Sequence, residues 1–89
     1  MQLLLSKRAK DFLDTLPPKP FRQVVLTVFQ LLAEPYPQDA KRLKGYPYHR
    51  VDVGEYRVVY EVHGEELHVL VVGKRNDDEV YKRLKRLKG

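Results

Sequence analysis

The hydrophobic pattern of this chain changes its period at Tyr48, and no other feature restricts the possible folds as much. Before Tyr48, apolar residues recur every three or four positions, as in amphipathic helices; after it they alternate with polar residues, as in β-strands. Two-residue turns led by glycine, Gly54 with Glu55 and Gly64 with Glu65, divide the alternating region. The pattern predicts three antiparallel strands, over residues 50–53, 56–63 and 66–73.

The region before this change contains a short apolar run and two helical stripes. Residues 2–5 predict a strand, and Ser6 is a suitable N-cap for the helix that follows. Consecutive prolines end this helix, and a second stripe continues until the next prolines. We expect helices over residues 7–16 and 21–34 in an antiparallel hairpin, followed by a basic segment over 41–45.

A final helix is predicted after Asn76, which is a suitable N-cap. Three acidic residues follow in the first turn, where they interact favourably with the helix dipole, and the third stands at the capping-box position. The apolar stripe of this helix consists of Val80, Leu84 and Leu87. The predicted fold class is α+β in a single domain, residues 1–89: a short N-terminal strand, a two-helix hairpin, a three-strand antiparallel meander that completes a four-stranded sheet, and a C-terminal helix.

The composition excludes several classes of function. A chain of 89 residues has room for one domain, and the absence of cysteine excludes a disulfide framework, a thiolate nucleophile and the usual zinc knuckles. No apolar run approaches the ~20 residues of a membrane-spanning helix, and no signal-peptide pattern is present, so we expect a cytoplasmic protein without a membrane partner. The formal net charge of +5 favours a polyanionic partner.

The two-residue turns predict a strand register, and the register assigns each strand residue to one face of the sheet. One face carries no charge, so we expect it to be the core beneath the two helices. The opposite face mixes charged and aliphatic side chains, and we expect an open surface on which a ligand lies. The uncharged face comprises Val51, Val53, Tyr56, Val58, Tyr60, Val62, Leu67, Val69 and Val71. The opposite face comprises Arg50, Asp52, Arg57, Val59, Glu61, His63, Glu66, His68, Leu70, Val72 and Lys74.

A dense charge cluster is predicted on the opposite face. Asp52 lies directly across from Arg57, and Arg50 is one pleat away, all within roughly 5–8 Å. Regular pairing also places Val72 across from Arg57 and Lys74 diagonal to it. Taken alone, such a cluster is typical of a surface salt bridge worth about 0–1 kcal/mol.

By the regular alternation of a strand, Arg75 is predicted on the face of the sheet that does not carry this cluster; we call this the parity problem of Arg75. If the last strand continued regularly past Gly73, the side chain of Arg75 would point toward the core. It reaches Arg57 only if Gly73 ends or bulges the strand, which glycine permits.

Several histidines and tyrosines are candidates for other sites. His63 and His68 could act as an acid and base or bind a metal, but Glu61 and its partner His68 lie about 13 Å along the strand from Arg57, and a metal site needs a third ligand. We therefore expect surface histidines and no metal or other cofactor. His49 lies nearer the cluster, on the other face of a regular strand. Tyr46 and Tyr48 either pack against the fold or stack on a nucleotide.

Four motifs resemble the RelE branch of the RelE/ParE toxin superfamily. They are KRLKGYP, EYRVVYEV, LVVGKR and EVY, all within residues 41–81, and the preceding strand and helices fit as well. GKR followed by EVY favours RelE over ParE-like gyrase poisons. The resemblance implies a microbial-ribonuclease-like fold and a toxin of a type II toxin–antitoxin module. Its implied activity is that of an mRNA interferase, a ribosome-dependent endoribonuclease that inhibits translation through attack of a ribose 2′-hydroxyl on the adjacent phosphate.

The resemblance also implies catalytic residues. The family's strand arginine falls on Arg57, the arginine after the last strand on Arg75, and the late tyrosine on Tyr81. The first of two strand lysines falls on Arg50. The second falls on Asp52, which reverses the charge at that position.

The base that accepts the 2′-hydroxyl proton is left open. Arginine cannot accept a proton at ordinary pH, and pairing with Arg57 should lower the pKa of Asp52 and weaken it as a base. Lys44, Tyr81 or a ribosomal group are the alternatives. We therefore expect slow or ribosome-assisted chemistry.

Lysines outside the cluster are candidates for RNA binding. They are Lys44, Lys74, Lys85 and Lys88, of which the last two share a stripe of the final helix with Tyr81. The alternative for that helix is a solvated basic surface. The resemblance implies a cognate antitoxin as partner besides the ribosome and mRNA, with operator DNA bound only through the antitoxin complex.

Two other functions stay open at this point. A ParE-like inhibitor of DNA gyrase would have the same fold and would leave mRNA intact. A catalytically decayed homologue would retain antitoxin binding but would not arrest growth, and Asp52 at a usually basic position argues for this alternative.

Overall fold

The computed structural model describes residues 1–76, 80–82 and 84. Its elements are β1 (Gln2–Leu5), α1 (Lys7–Asp14), α2 (Pro18–Ala33), β2 (Lys41–Arg42), β3 (His49–Val53), β4 (Tyr56–His63) and β5 (Glu66–Lys74). Residues 80–82 and 84 are helical and belong to the predicted C-terminal helix. The predicted start of that helix, residues 77–79, and Leu87 lie outside the described residues. The mixed α+β class is confirmed, and no helix within the described part of the chain is long and apolar enough to cross a membrane.

The first helix begins where its cap was predicted. The Ser6 hydroxyl oxygen accepts a hydrogen bond from the Ala9 N–H at 3.0 Å, which satisfies one of the free donors of the first turn. The same hydroxyl donates to the Leu70 carbonyl at 2.6 Å. Ser6 therefore both starts α1 and attaches it to β5.

The second helix begins earlier than predicted, at Pro18 rather than after Pro20. The N–H groups of a first helical turn have no acceptor within the helix, so proline loses nothing there, and its fixed φ suits the helix. The prolines thus end α1 and also belong to the start of α2.

The sheet has five strands in the order β1-β5-β4-β3-β2, so the predicted number of four is wrong. β1 pairs parallel with β5, and the other pairs are antiparallel. The additional strand is β2, in which Lys41 lies across from Arg50 and Arg42 across from His49. Two residues are too few to show a period of two, which is why the pattern indicated only a basic segment.

The first hairpin has the predicted register, with Asp52 directly across from Arg57. Gly54 and Gly64 have φ angles of +59° and +55°, and no described non-glycine residue has a positive φ. Type I′ turns require a positive φ at both central residues, whereas type II′ turns require it only at the first. Both hairpins therefore use type II′ turns.

The second hairpin keeps its predicted register only near the turn. A β-bulge shifts the pairing between Val59 and Tyr60, so that Tyr60 pairs with Val69 but Val59 pairs with Val71. Leu70 is the additional residue, and every later residue of β5 changes face. Val71 and Val72 therefore lie on the faces opposite to those predicted.

The core lies on both faces of the sheet. The first core lies between the sheet and the two helices, with α1 against β5 and α2 against β3. It comprises Ala9, Leu13, Val24, Val28, Leu31, Val51, Val58, Tyr60, Leu67, Val69 and Val72. The second core, on the opposite face, comprises Leu43, Val59, Val71, Val80 and Leu84. Val59 and Val71 are fully buried there, so the prediction of an open opposite face is wrong in this region.

Close packing of the final helix requires a glycine in β5. A Cβ atom at Gly73 would lie 2.8 Å from Cγ2 of Val80, and valine has little freedom to rotate away. We expect Gly73→Ala to lower the free energy of unfolding by about 1–3 kcal/mol, measured by urea denaturation. In a Val80→Ala background the same substitution should cost almost nothing. An equal loss in both backgrounds would refute the proposed contact.

Candidate functional site

Arg57, on β4, lies at the centre of the charged region. Its Nε donates to Oδ1 of Asp52 at 2.7 Å and its Nη2 to Oδ2 at 3.3 Å, a bidentate pair. Its Nη1 donates to the Tyr81 hydroxyl oxygen at 2.9 Å. The Arg57 side chain is only 14% exposed, so all three guanidinium nitrogens are held in a fixed orientation. Together with Arg50 and Arg75, these residues form what we call the arginine cluster.

The predicted proximity of Arg50, Asp52 and Arg57 is confirmed. Nη1 of Arg50 lies 3.7 Å from Oδ2 of Asp52, so the carboxylate lies between two guanidinium groups. Arg50 is 24% exposed and Asp52 32%, which leaves one side of the cluster open to solvent. An anionic ligand can therefore approach these cations from outside.

The parity problem of Arg75 is resolved by the bulge at Leu70 rather than by Gly73. After the register shift, Gly73 lies across from Arg57, where Val72 was predicted. Arg75 directly follows the end of β5, and regular alternation from Gly73 would place its side chain on the face of Arg57. The charge of Arg75 lowers the pKa of Asp52, which agrees with this position. Its backbone N–H donates to the Glu55 carbonyl at 3.0 Å, which attaches it to the turn beside the cluster.

The electrostatics of the cluster agree with this arrangement. The hydrogen bond from Arg57 lowers the pKa of Asp52, burial opposes the shift, and the charges of Arg57, Arg50 and Arg75 add to the lowering. The hydrogen bond to Asp52 in turn raises the pKa of Arg57. Asp52 is therefore ionised at neutral pH and is a weak base, as predicted from the sequence.

Tyr81 reaches Arg57 because the second core holds the final helix over the sheet. Val80 and Leu84, its neighbours on that helix, are each 1% exposed, and Tyr81 itself packs partly against the same core. Tyr81, which the resemblance assigned to the site, is thus brought to Arg57 by packing on a face that was expected to be open.

A sequence model of the ParE toxins of type II toxin–antitoxin systems (parDE) matches residues 3–79, most of the chain. The chain belongs to the RelE/ParE toxin superfamily. No curated protein sequence matches this toxin significantly.

Solved structures of RelE toxins are similar to this toxin over most of their length. A mutant of E. coli RelE in the free state has a TM-score of 0.79 and 27% identity, covering 97% of this chain and 96% of that chain. RelE in the intact E. coli RelBE toxin–antitoxin complex has a TM-score of 0.72 and 26% identity, covering 82% and 94%. A chain of the archaeal RelE–RelB complex of Pyrococcus horikoshii OT3 has a TM-score of 0.74 and 26% identity, covering 83% and 93%. The predicted RelE-like character of this toxin is thereby confirmed.

The predicted RNA-binding lysines of the toxin do not all lie near the arginine cluster. Lys44 is exposed in the loop after β2. Lys74 was predicted diagonal to Arg57, but the register shift places it across from Tyr56, on the face of the first core. Lys85 and Lys88 lie outside the described residues, so their role stays a prediction.

The histidines of the toxin lie away from the arginine cluster. The ring of His49 lies 4.9 Å from that of Tyr36 and 6.0 Å from that of Tyr60, on the predicted face of β3. The rings of His63 and His68 lie 5.4 Å apart at the other end of the β4–β5 hairpin. Each faces a carboxylate of its own strand, and no set of three or more metal-ligating side chains occurs in the described part of the chain.

The second core is the part of the site that the sequence reasoning missed. Its signal was present in the consecutive apolar residues Leu70, Val71 and Val72. A strand buried on one face alternates, whereas a continuous apolar run is typical of a strand buried on both faces.

Proposed function

We propose that this toxin is a ribosome-dependent endoribonuclease that cleaves mRNA and so inhibits translation. The observation that carries the proposal is the guanidinium group of Arg57, largely buried, fixed in orientation and flanked by Arg50 and Arg75. The likeness to RelE structures supports it. A cation held in this way is suited to a single phosphate rather than to diffuse attraction of a polyanion.

The proposed reaction is an internal transesterification of the RNA backbone. The 2′-oxygen of a ribose attacks the adjacent phosphorus and loses its proton, the P–O bond to the 5′-oxygen of the next nucleotide breaks, and that oxygen takes up a proton. Negative charge accumulates on the phosphorane oxygens between these events. Arg57 and Arg75 would stabilise this charge through N–H donors, and Arg50 would add positive potential.

Neither Asp52 nor Tyr81 is well suited to accept the proton of the 2′-hydroxyl. Asp52 has a lowered pKa, and its two oxygens already accept hydrogen bonds from Arg57. Tyr81 accepts from the same guanidinium, and its predicted part is to orient the 2′-hydroxyl or stack on a base. These features favour a base supplied by the ribosome, which accounts for ribosome dependence.

A cognate antitoxin is the proposed protein partner. RelE chains are bound to RelB in the E. coli and P. horikoshii complexes. The formal net charge of +5 on this toxin suits an antitoxin segment rich in acidic residues. Operator DNA would then be bound through the complex with that antitoxin.

The proposal is tested by expressing the toxin without an antitoxin and mapping mRNA 5′ ends on stalled ribosomes. We expect growth arrest and new ends within translated codons, absent when translation initiation is blocked. Blocked gyrase supercoiling with intact mRNA would instead establish a ParE-like gyrase inhibitor. Normal growth with undamaged mRNA would indicate a decayed homologue.

A further inference from the structure

We propose that the loop after β2 contains a binding subsite for one unpaired RNA nucleotide, whose base stacks on Tyr46 and whose phosphates contact Arg42 and Lys44. The inference rests on the proposed ribonuclease function and assigns a substrate contact outside the arginine cluster. We call this subsite the tyrosine platform, formed by Tyr46 and Tyr48 together with the two cations.

The two tyrosine rings form a partly exposed stack. Their centroids lie 5.9 Å apart with an interplanar angle of 18°, so the rings are nearly parallel. Tyr46 lines an open depression of about 580 Å³, together with Arg42, Leu43, Lys44, Gly45 and Pro47. A nucleobase that enters this depression meets an aromatic ring that a second ring already supports.

The loop that carries the tyrosine platform is held in one conformation. The Leu43 N–H donates to the Tyr48 carbonyl at 2.9 Å, and the Tyr46 N–H donates to the Leu43 carbonyl at 3.3 Å. Gly45 takes the left-handed conformation, φ +82°, that this tight loop requires. Leu43 is buried in the second core, so the loop is anchored to the sheet. Little conformational entropy would be lost when a base stacks there.

The platform lies within reach of a strand bound at the arginine cluster. Tyr46 and Tyr48 pack against the same second core as Tyr81, and the Tyr81 hydroxyl accepts a hydrogen bond from Arg57. Two strand spacings and a three-residue offset separate Arg57 from Arg42, the platform residue that lies on β2, by about 14 Å in the backbone. A few nucleotides of single-stranded RNA can bridge this distance.

The chemistry of the depression matches a nucleotide. Arg42 and Lys44 are exposed, and none of the described residues that line the depression is acidic. Another depression on the surface, near α2, is lined by Glu34, Asp39 and Asp52 and would repel a phosphate. An aromatic ring beside cations is the arrangement with which proteins bind unpaired bases.

The test measures binding of short single-stranded RNA with 2′-O-methyl riboses, which prevents cleavage. A second series of the same RNA carries one abasic position, moved along the strand. We expect one abasic position to lower the affinity of the natural toxin about tenfold, with little effect elsewhere. Tyr46→Leu, which keeps apolar bulk without the ring, should show the same loss on intact RNA and no further loss on that abasic RNA. Tyr46→Phe should bind as the natural protein does.

The matched control is Tyr36→Leu, since Tyr36 is an exposed tyrosine outside the platform. Equal abasic losses in the natural toxin and in Tyr46→Leu would overturn the proposal. Should Tyr46→Leu not fold, the abasic series on the natural toxin decides, because uniform affinity along the strand would also overturn it. Arg57→Ala keeps the coupling between Tyr46 and the base if the platform exists, so failure of the nuclease proposal and failure of the platform are distinguishable.

Discussion

Arg57→Ala is expected to lower translation-dependent mRNA cleavage by at least about 100-fold, because it removes the donors that face the developing phosphorane charge. The rate of appearance of cleaved ends in a purified translation system measures the effect. The fold should persist, since Asp52 is partly exposed and can be hydrated when its partner is removed. Arg75→Ala should have an effect of the same kind.

The matched control for this prediction is Arg22→Ala. Arg22 is exposed on α2, which packs on the other face of the sheet from the arginine cluster, and its removal changes the net charge by the same amount. Cleavage by this variant should be close to that of the natural toxin. If Arg57→Ala cleaved as fast as Arg22→Ala, Arg57 would not belong to the site.

Asp52→Asn is expected to raise the affinity for single-stranded RNA about tenfold at low ionic strength. The carboxylate occupies two donors of Arg57 and cancels one positive charge of the cluster, whereas asparagine is neutral and still accepts from Nε. Fluorescence anisotropy with a non-cleavable RNA measures the affinity, and the gain should shrink as salt is added.

Asp11→Asn serves as the control, because Asp11 is exposed on α1 and the substitution changes the charge equally. Its effect on RNA affinity should be small. A fall in cleavage by Asp52→Asn with RNA affinity unchanged would mean that Asp52 accepts a proton or positions Arg57, and it would contradict our view of Asp52 as an internal competitor of the phosphate.

Local chemistry made the first hairpin and the first helix predictable. Gly54 allows a two-residue turn, and that turn alone places Asp52 across from Arg57. The hydroxyl of Ser6 caps α1 within three residues of its own position. In both cases, the interacting groups are near neighbours in the chain, so the pattern contains the information.

Longer-range features were not predictable in the same way. β2 forms because the edge of β3 offers backbone groups for pairing. The two residues of β2 are too few to show the alternation of apolar and polar residues that predicts a strand. The second core brings Leu43 together with Val80 and Leu84, which lie about half the chain away. No local spacing indicates such a contact.

The sequence by itself determined the order of β1, the helices and the three long strands, the position of the two-residue turns and the pairing of Asp52 with Arg57. Only the tertiary structure decided which face Arg75 occupies, because Leu70, Val71 and Val72 are all apolar and either register of β5 would bury hydrophobic side chains. In the register with the bulge, Val71 packs against Val80 and Leu84 of the final helix. The same register gives Arg75 the parity that brings it to the face of Arg50 and Arg57.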